Sequence, residues 1–414
     1  MPLTRKLRFG MVGGGPGAFI GAVHRRAATL DGLAELVAGA FSSDPDKSRA
    51  QGRELHLDPR RVYDGYEAMA EREAALPESE RIDFVSIVTP NHVHFRAARA
   101  FIERGIDVIC DKPMTTTLED AESLCRLVQK HGVVFALTHN YSGYPLVKQA
   151  RALVSAGKLG AVRKVVAEYS QGWLSTRLEA TGQKQADWRT DPARAGAGAI
   201  GDIGSHAEHL ARYVTGLEID RLYADVSTFV EGRRIDDDAN LLVHYRGGAK
   251  GVLFCSQISV GEENRLSLRV YGTDASLEWQ QQEPNILLVR HGDGPMEVYK
   301  PGHPFLSPAA KHATRLPSGH PEAFFEAFAN VYANAMRTIA ARLSGEPPDP
   351  LDLDFPTVDD GLAGVRFILS TLESGRRGGW VEVHPDRGER ISAQAPASST
   401  ARDETESRTS NFRS

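Results

Sequence analysis

Cysteine is scarce in this sequence. Three residues among 414, Cys110, Cys125 and Cys255, show no CxxC spacing, which excludes a disulfide framework and a cysteine zinc site. No apolar run approaches the roughly 18–20 residues that a membrane-spanning helix requires. There is no block of basic charge either. The 49 Lys+Arg against 54 Asp+Glu leave a net charge of −5, so neither nucleic acid nor an anionic membrane is an expected partner. The first residues, MPLTRKLRFGMVGGG, place charges and then glycines where a signal peptide needs an apolar run. A cytoplasmic enzyme is expected. An internal repeat is absent as well.

What is present is an ordinary globular composition in a long chain. At 41% hydrophobic residues over 414 positions, the chain can build two or more cores. Up to about residue 140, short apolar runs alternate with helical patterns, the mark of a parallel sheet with crossover helices. LRFGMV (7–12), ELVAGAF (35–41), DFVSIVT (83–89), IDVIC (106–110) and VVFALT (133–138) read as its strands. Thr116 and Glu119 form a capping-box pattern before a helix at 118–131. From 222 to 300 the pattern becomes successive antiparallel strands, with Gly247-Gly248 as a two-residue hairpin. Between the two regions lies a polar loop of about 25 residues, a length that in compact proteins signals function or disorder. Two long helices, 321–344 and 357–374, and a strand at 380–383 follow. Residues 391–414 contain nine Ser or Thr and few apolar groups, and are expected to stay disordered. The expected fold class is therefore α/β: a doubly wound parallel Rossmann sheet over 1–141, then an α+β domain over 142–390 with a large, mostly antiparallel open sheet.

Gly13, Gly15 and Ala18 fit G-x-G-x-x-A directly between a strand and a helix. The first glycine permits the tight turn, the second lets backbone approach a pyrophosphate, and the small third residue allows close helix packing. Pro16, Gly17 and Phe19 belong to the same turn. A carboxylate for the adenosine ribose is missing at the end of the second strand, where Ser42 and Ser43 stand before Asp44. NAD is the expected cofactor. NADP stays open, with Lys47 and Arg49 available to a 2′-phosphate.

Loops at carboxyl ends of neighbouring parallel strands share one ligand crevice. Here these are Thr89-Pro90-Asn91-His92-Val93-His94 and Asp111-Lys112-Pro113. They add Thr89, Pro90, Asn91, His94, Asp111 and Lys112 to the cofactor-facing set, and Lys112 could exchange a proton with substrate. Further on, Asp202 and His206 are four apart, on one face of an expected helix whose stripe of Ile203, Ala207, Leu210 and Val214 would seat it. His92 and His94 suggest no metal site, because in an extended loop they point to opposite faces. Asn140, Tyr141, Trp173, Trp188, Arg189 and His320 could line a substrate pocket together with Lys112, Asp202 and His206. Their rings would offer apolar faces while their polar groups form hydrogen bonds.

In this order, VGGGPGA, TPNHVH, DKP and GDIGSH resemble the Gfo/Idh/MocA family of nicotinamide-dependent sugar and cyclitol oxidoreductases. The resemblance spans nearly the whole chain except the tail. It implies that Lys112, Asp202 and His206 are catalytic and that Asn91 lies near the nicotinamide. Asp111 stands where the family usually has Glu. The segments YSQGWL, KQADWRTDP and GHPEAFFEAF resemble a branch acting on inositols, glucosides or related pyranoses. The expected reaction is hydride transfer between NAD(P) and a ring hydroxyl. Lys112 and His206 would move the proton, and Asp202 would orient the substrate and hold the histidine tautomer. The alternatives are a cyclic redox elimination or glycoside cleavage, in which reduced cofactor never accumulates, and a non-catalytic cofactor-binding sensor. Association through the second sheet, as a homodimer or homotetramer, is expected.

Overall fold

The computed structural model of the protein describes residues 5–383. The tail at 391–414 lies outside the described residues, as do the last residues of the 142–390 segment. Strands β1 (Leu7–Gly13), β2 (Ala34–Ala40), β3 (Phe84–Val88), β4 (Asp107–Cys110) and β5 (Phe135–Leu137) form one sheet in the order β2-β1-β3-β4-β5, every pair parallel. Helices cover both faces, which is why β3 and β4 are unbroken runs of buried residues. The chain winds outward from β1 to β2 and then crosses to β3 on the other side. That reversal opens a crevice at the carboxyl ends of β1 and β3. The helix Leu118–His131 has the bounds expected from sequence, but Thr117, not Thr116, is its cap, and its hydroxyl accepts from the Asp120 amide.

The second sheet has nine strands: β6 (Lys164–Ser170), β7 (Ile219–Ser227), β8 (Asp238–Tyr245), β9 (Lys250–Ser256), β10 (Arg265–Tyr271), β11 (Ala275–Gln280), β12 (Leu287–His291), β13 (Met296–Tyr299) and β14 (Val381–Glu382). Their order is β13-β12-β11-β10-β6-β9-β8-β7-β14, antiparallel except where β6 meets β9. Gly247 and Gly248, with φ of 84° and 99°, lie in the β8–β9 turn, which has three residues (246–248) rather than the expected two, because the Tyr245 amide donates to the Ala249 carbonyl. Ile203, Ala207, Leu210 and Val214 are all buried in this sheet's core, as their spacing implied.

The two sheets are tied together by the last helices. Phe328, Tyr332, Met336 and Ile339 of the helix Phe324–Ser344 are buried against Phe9, Met11, Phe84 and Ile109 of the first sheet. Val358, Leu362 and Val365 of the helix Val358–Arg377 join that sheet's other core. At about 1.5–3 kcal/mol for each large apolar side chain buried, these contacts fix the crevice of one sheet against the elements of the other. The polar segment between the regions is not a bare loop. It carries three short helices, Leu178–Thr181, Lys184–Arg189 and Pro192–Ala195.

Candidate active site

The site begins at the β1 turn. Gly13 has φ of 88°, and a Cβ there would lie 2.8 Å from the Val88 carbonyl oxygen. A Cβ on Gly15 would lie 2.6 Å from the Phe41 carbonyl oxygen. The close approach between turn and helix falls at Gly14 and Gly21, where an added Cβ on Gly21 would meet the Gly14 Cα at 2.4 Å. Ala18, the small residue that sequence assigned to that packing, is instead the helix N-cap, and Phe19 beside it is exposed. At the end of β3 the buried Thr89 hydroxyl has no hydrogen-bond partner among the described residues. A cradle without side chains at the switch point, with a free polar group beside it, fits a dinucleotide.

After β2, the Ser42 hydroxyl accepts from the Asp44 amide, while Asp44 caps the next helix and pairs with Lys47 at 3.3 Å. Arg49 pairs with Asp46 and Asp64 at 2.9 and 2.7 Å. Both cations that a 2′-phosphate would use therefore already have carboxylate partners. The 184–195 segment arches across the crevice: Lys184 Nζ donates to the Pro16 carbonyl at 2.9 Å, and Asn91 Nδ2 donates to the Ala195 carbonyl at 2.9 Å. His94 is buried between the Pro113 and Thr89 carbonyls, at 2.8 and 2.9 Å from its two ring nitrogens, whereas His92 is exposed.

Lys112 reaches from the β4 loop to the other half of the molecule. Its Nζ donates to Asp202 Oδ1 at 2.9 Å and also to the Asp202 main-chain carbonyl. Its backbone is held by Asp111, whose Oδ1 accepts from the Lys112 amide and from the Thr138 hydroxyl, both at 2.9 Å. Asp202 Oδ2 accepts from Gln257 Nε2 at 2.8 Å and lies 3.4 Å from Arg189 Nε. Burial alone would raise the Asp202 carboxyl, but the Lys112 ammonium and the Arg189 guanidinium outweigh it and hold the group well below the usual carboxylate range.

Asp202 and His206 do not share a partner. Residues Ile200–Gly204 form a π-helical turn that runs into the α-helix Ser205–Thr215. Asp202 turns to Lys112, whereas His206 Nδ1 faces His139 Nδ1 at 3.4 Å. Sequence had given Asp202 the task of holding the histidine tautomer; the geometry gives that contact to His139. Burial, together with the positive charge of Lys112, lowers the His206 imidazole well below its ordinary value, so it is neutral at pH 7. Its ring packs edge-on against Tyr141, with centroids 4.8 Å apart.

From Tyr141 a polar wall runs outward. Its hydroxyl meets that of Tyr169 at 2.5 Å, Tyr169 and Gln171 donate to Asn264 Oδ1 at 2.7 Å each, and Trp173 Nε1 donates to Gln171 Oε1 at 3.0 Å. Buried Asn140 leaves its Nδ2 without a partner among the described residues. Arg189 lies over the Trp188 ring at 4.3 Å. The contacts form two groups, Lys112 with Asp202, Arg189 and Trp188, and His206 with Tyr141 and, through Tyr169, Asn264 and Gln171, Trp173; Asp202 and His206 follow one another along the same helical segment, and Asn140 stands beside Tyr141 in the chain. His320 joins neither group: the residue is exposed, and among the described residues its ring bonds only the Pro317 carbonyl of its own loop, at 3.2 Å. His139, Gln257, Asn264 and Lys184 were not singled out from sequence. His139 stands directly before Asn140 at a strand end and so carried the same positional signal; Gln257 and Asn264 flank strands of the second sheet, where no such rule applies.

Residues 7–139 match the family model described as the oxidoreductase family with an NAD-binding Rossmann fold, and residues 147–278 match the GFO/IDH/MocA C-terminal domain. The chain belongs to this family of oxidoreductases, and its first sheet is an NAD-binding domain. Among solved structures, an oxidoreductase from Sinorhizobium meliloti is 47% identical, with a TM-score of 0.82 over 91% of this chain and 99% of that one. An inositol dehydrogenase homolog from Azotobacter vinelandii, complexed with NADH and myo-inositol, is 36% identical with a TM-score of 0.85, covering 92% of this chain and 98% of that one. Levoglucosan dehydrogenase of Pseudarthrobacter phenanthrenivorans is 26% identical over 73% of this chain and 82% of its own length.

Proposed function

We propose that the protein is a dehydrogenase that moves a hydride reversibly between NAD and a ring hydroxyl of a sugar, glucoside or cyclitol. The observation that carries this reading is the 2.9 Å contact of Lys112, from the nucleotide-binding half, with Asp202, one turn before His206 in the other half. Likeness to proteins named for inositol and levoglucosan supports the substrate class.

In this reading residues 1–141 hold the cofactor, which when bound supplies the hydride acceptor, and residues 142–390 hold the substrate. Neutral His206 takes the hydroxyl proton on Nε2. The Lys112 ammonium, steered by Asp202, donates to the substrate oxygen as negative charge develops on it, and Gln257 and Arg189 keep Asp202 from swinging away. Asn140 Nδ2 offers a donor to a second hydroxyl, while Trp188 and Trp173 offer apolar faces. The test is NADH formation with NAD and NADP separately, against inositols, free hexoses, anhydrosugars and glucosides. Accumulating NADH with one ring class is expected. Product without NADH would establish the cyclic redox route instead, and cofactor binding without turnover across the panel would leave a sensor.

The outer face of the second sheet supports self-association. Tyr223, Leu242, Val252 and Val166 are cross-strand neighbours in one row, and Leu242 is 51% exposed. A homodimer or homotetramer through this face is the proposed assembly.

A further inference from the structure

His139 is 2% exposed and occupies the turn between β5 and Asn140. Its ring stands nearly perpendicular to that of His206, at 87° with centroids 5.2 Å apart, so the two Nδ1 atoms meet edge to edge. The other flank of His139 is covered by His209, stacked at 4.3 Å and 8°. His209 is in turn 3.9 Å from Asp360, which Arg212 pairs at 2.8 Å. One face of the His139 ring is thus covered by His209, and its edge is turned to His206.

Two facing Nδ1 atoms can share only one proton, so one ring donates and the other accepts. An imidazole that is to receive a substrate proton on Nε2 must carry its own proton on Nδ1. Among the described residues Asp202 makes no hydrogen bond to His206; its oxygens meet Lys112, Gln257 and Arg189. We propose that His139 is a positioning residue: its bare Nδ1 accepts the Nδ1 proton of His206 and leaves His206 Nε2 open as the base. The inference rests on the reading of His206 as proton acceptor.

Two polar replacements separate this role from packing. The amide oxygen of Asn falls near the position of a histidine Nδ1, whereas that of Gln reaches the position of Nε2. His139→Asn should keep kcat within about tenfold of wild type, and His139→Gln should lose the roughly 10²–10⁴-fold expected of a misplaced base, with KM and NADH affinity little changed in both. A Gln variant at least as active as the Asn variant overturns the proposal. Independently of how these variants fold, ¹⁵N-histidine spectra of the wild type, assigned by comparison with His206→Asn, should place the His206 proton on Nδ1; an Nε2 proton overturns it too. Undiminished turnover in His206→Ala would instead sink the proton-acceptor reading itself.

Discussion

Replacing Lys112 by methionine keeps the apolar stem and deletes only the ammonium. The side chains of Lys112 and Asp202 are 12% and 22% exposed, so their pair sits between a surface ion pair and a sealed one. Exposed pairs contribute about 0–1 kcal/mol, and orphaning one member of a buried pair costs about 3–5. Asp202 would keep Gln257 at 2.8 Å and Arg189 at 3.4 Å, which places the loss of stability at about 1–3 kcal/mol. With unfolding entropy of about 2.1 cal/mol/K per residue, a chain of 414 residues shifts by about 1 °C per kcal/mol, so Tm should fall by about 1–4 °C. The Asp202 carboxyl should also rise toward its ordinary range, because Lys112 is the main charge holding it down. Turnover should fall by about 10²–10⁴, the loss of a proton-transfer or oxyanion partner, while NADH affinity by fluorescence stays within about threefold because the glycine turn is untouched. Steady-state NAD reduction and a thermal melt read both effects. Turnover and Tm indistinguishable from wild type would refute the role of Lys112 and the bridge together.

Gly15→Ala would push a Cβ to 2.6 Å from the Phe41 carbonyl, and with overpacking costing about 1–3 kcal/mol, NADH should bind about tenfold weaker by fluorescence titration. An unchanged affinity would count against the turn as the dinucleotide cradle. Burial lowers His139 and His206 well below 6.5 and His209 to about 3, so below pH 6.5 the unfolded chain binds protons that the folded one refuses. Stability is then fully present above pH 6.5 and should fall as pH drops from 6.5 toward 5, at up to about 1.4 kcal/mol per unit for each histidine. Urea denaturation with no slope across that window would contradict it. The same depression keeps His206 an unprotonated base through pH 6.5, so kcat/KM for alcohol oxidation should show no acid limb with a midpoint at or above that value. Val252→Asp, on the row with Leu242 and Val166, should yield monomers by light scattering with the fold intact; a wild type already monomeric at micromolar concentration would disprove association through this face.

Most of the architecture was legible because its causes are local. Largely apolar runs that are buried throughout, such as Phe84–Val88 with Ser86 its one polar residue, need helices over both faces, and Gly247-Gly248 marks a hairpin turn by its positive φ. The return of Phe328, Tyr332 and Met336 to the first sheet was not legible. Apolar periodicity says that a helix has a buried face but not which sheet buries it. The crevice followed the same division. Lys112 and Asn91 could be placed by the rule that ligands bind at carboxyl ends of parallel strands, whereas Gln257 and Asn264 come from an antiparallel sheet that confers no such expectation.

The pair Asp202 and His206 shows what four-residue spacing leaves open. It places two residues on one face of a helix but does not say which partner each side chain takes. Here the Ser205 amide donates to the Ile200 carbonyl, five residues back, so a π-helical turn carries Asp202 into the regular helix of His206. Asp202 meets Lys112 of the β4 loop, and His206 meets His139 of the β5 loop. The apolar stripe survives because Ile203 still reaches the core at one end and Ala207, Leu210 and Val214 sit on regular helix beyond it. Gly201 and Gly204 leave this turn little bulk of its own, and a Cβ at Gly204 would lie 2.9 Å from Cys255 Sγ. The same glycines let the turn lie close to β9, from where the carboxylate of Asp202 holds the amine of Lys112 and the imidazole of His206 meets His139.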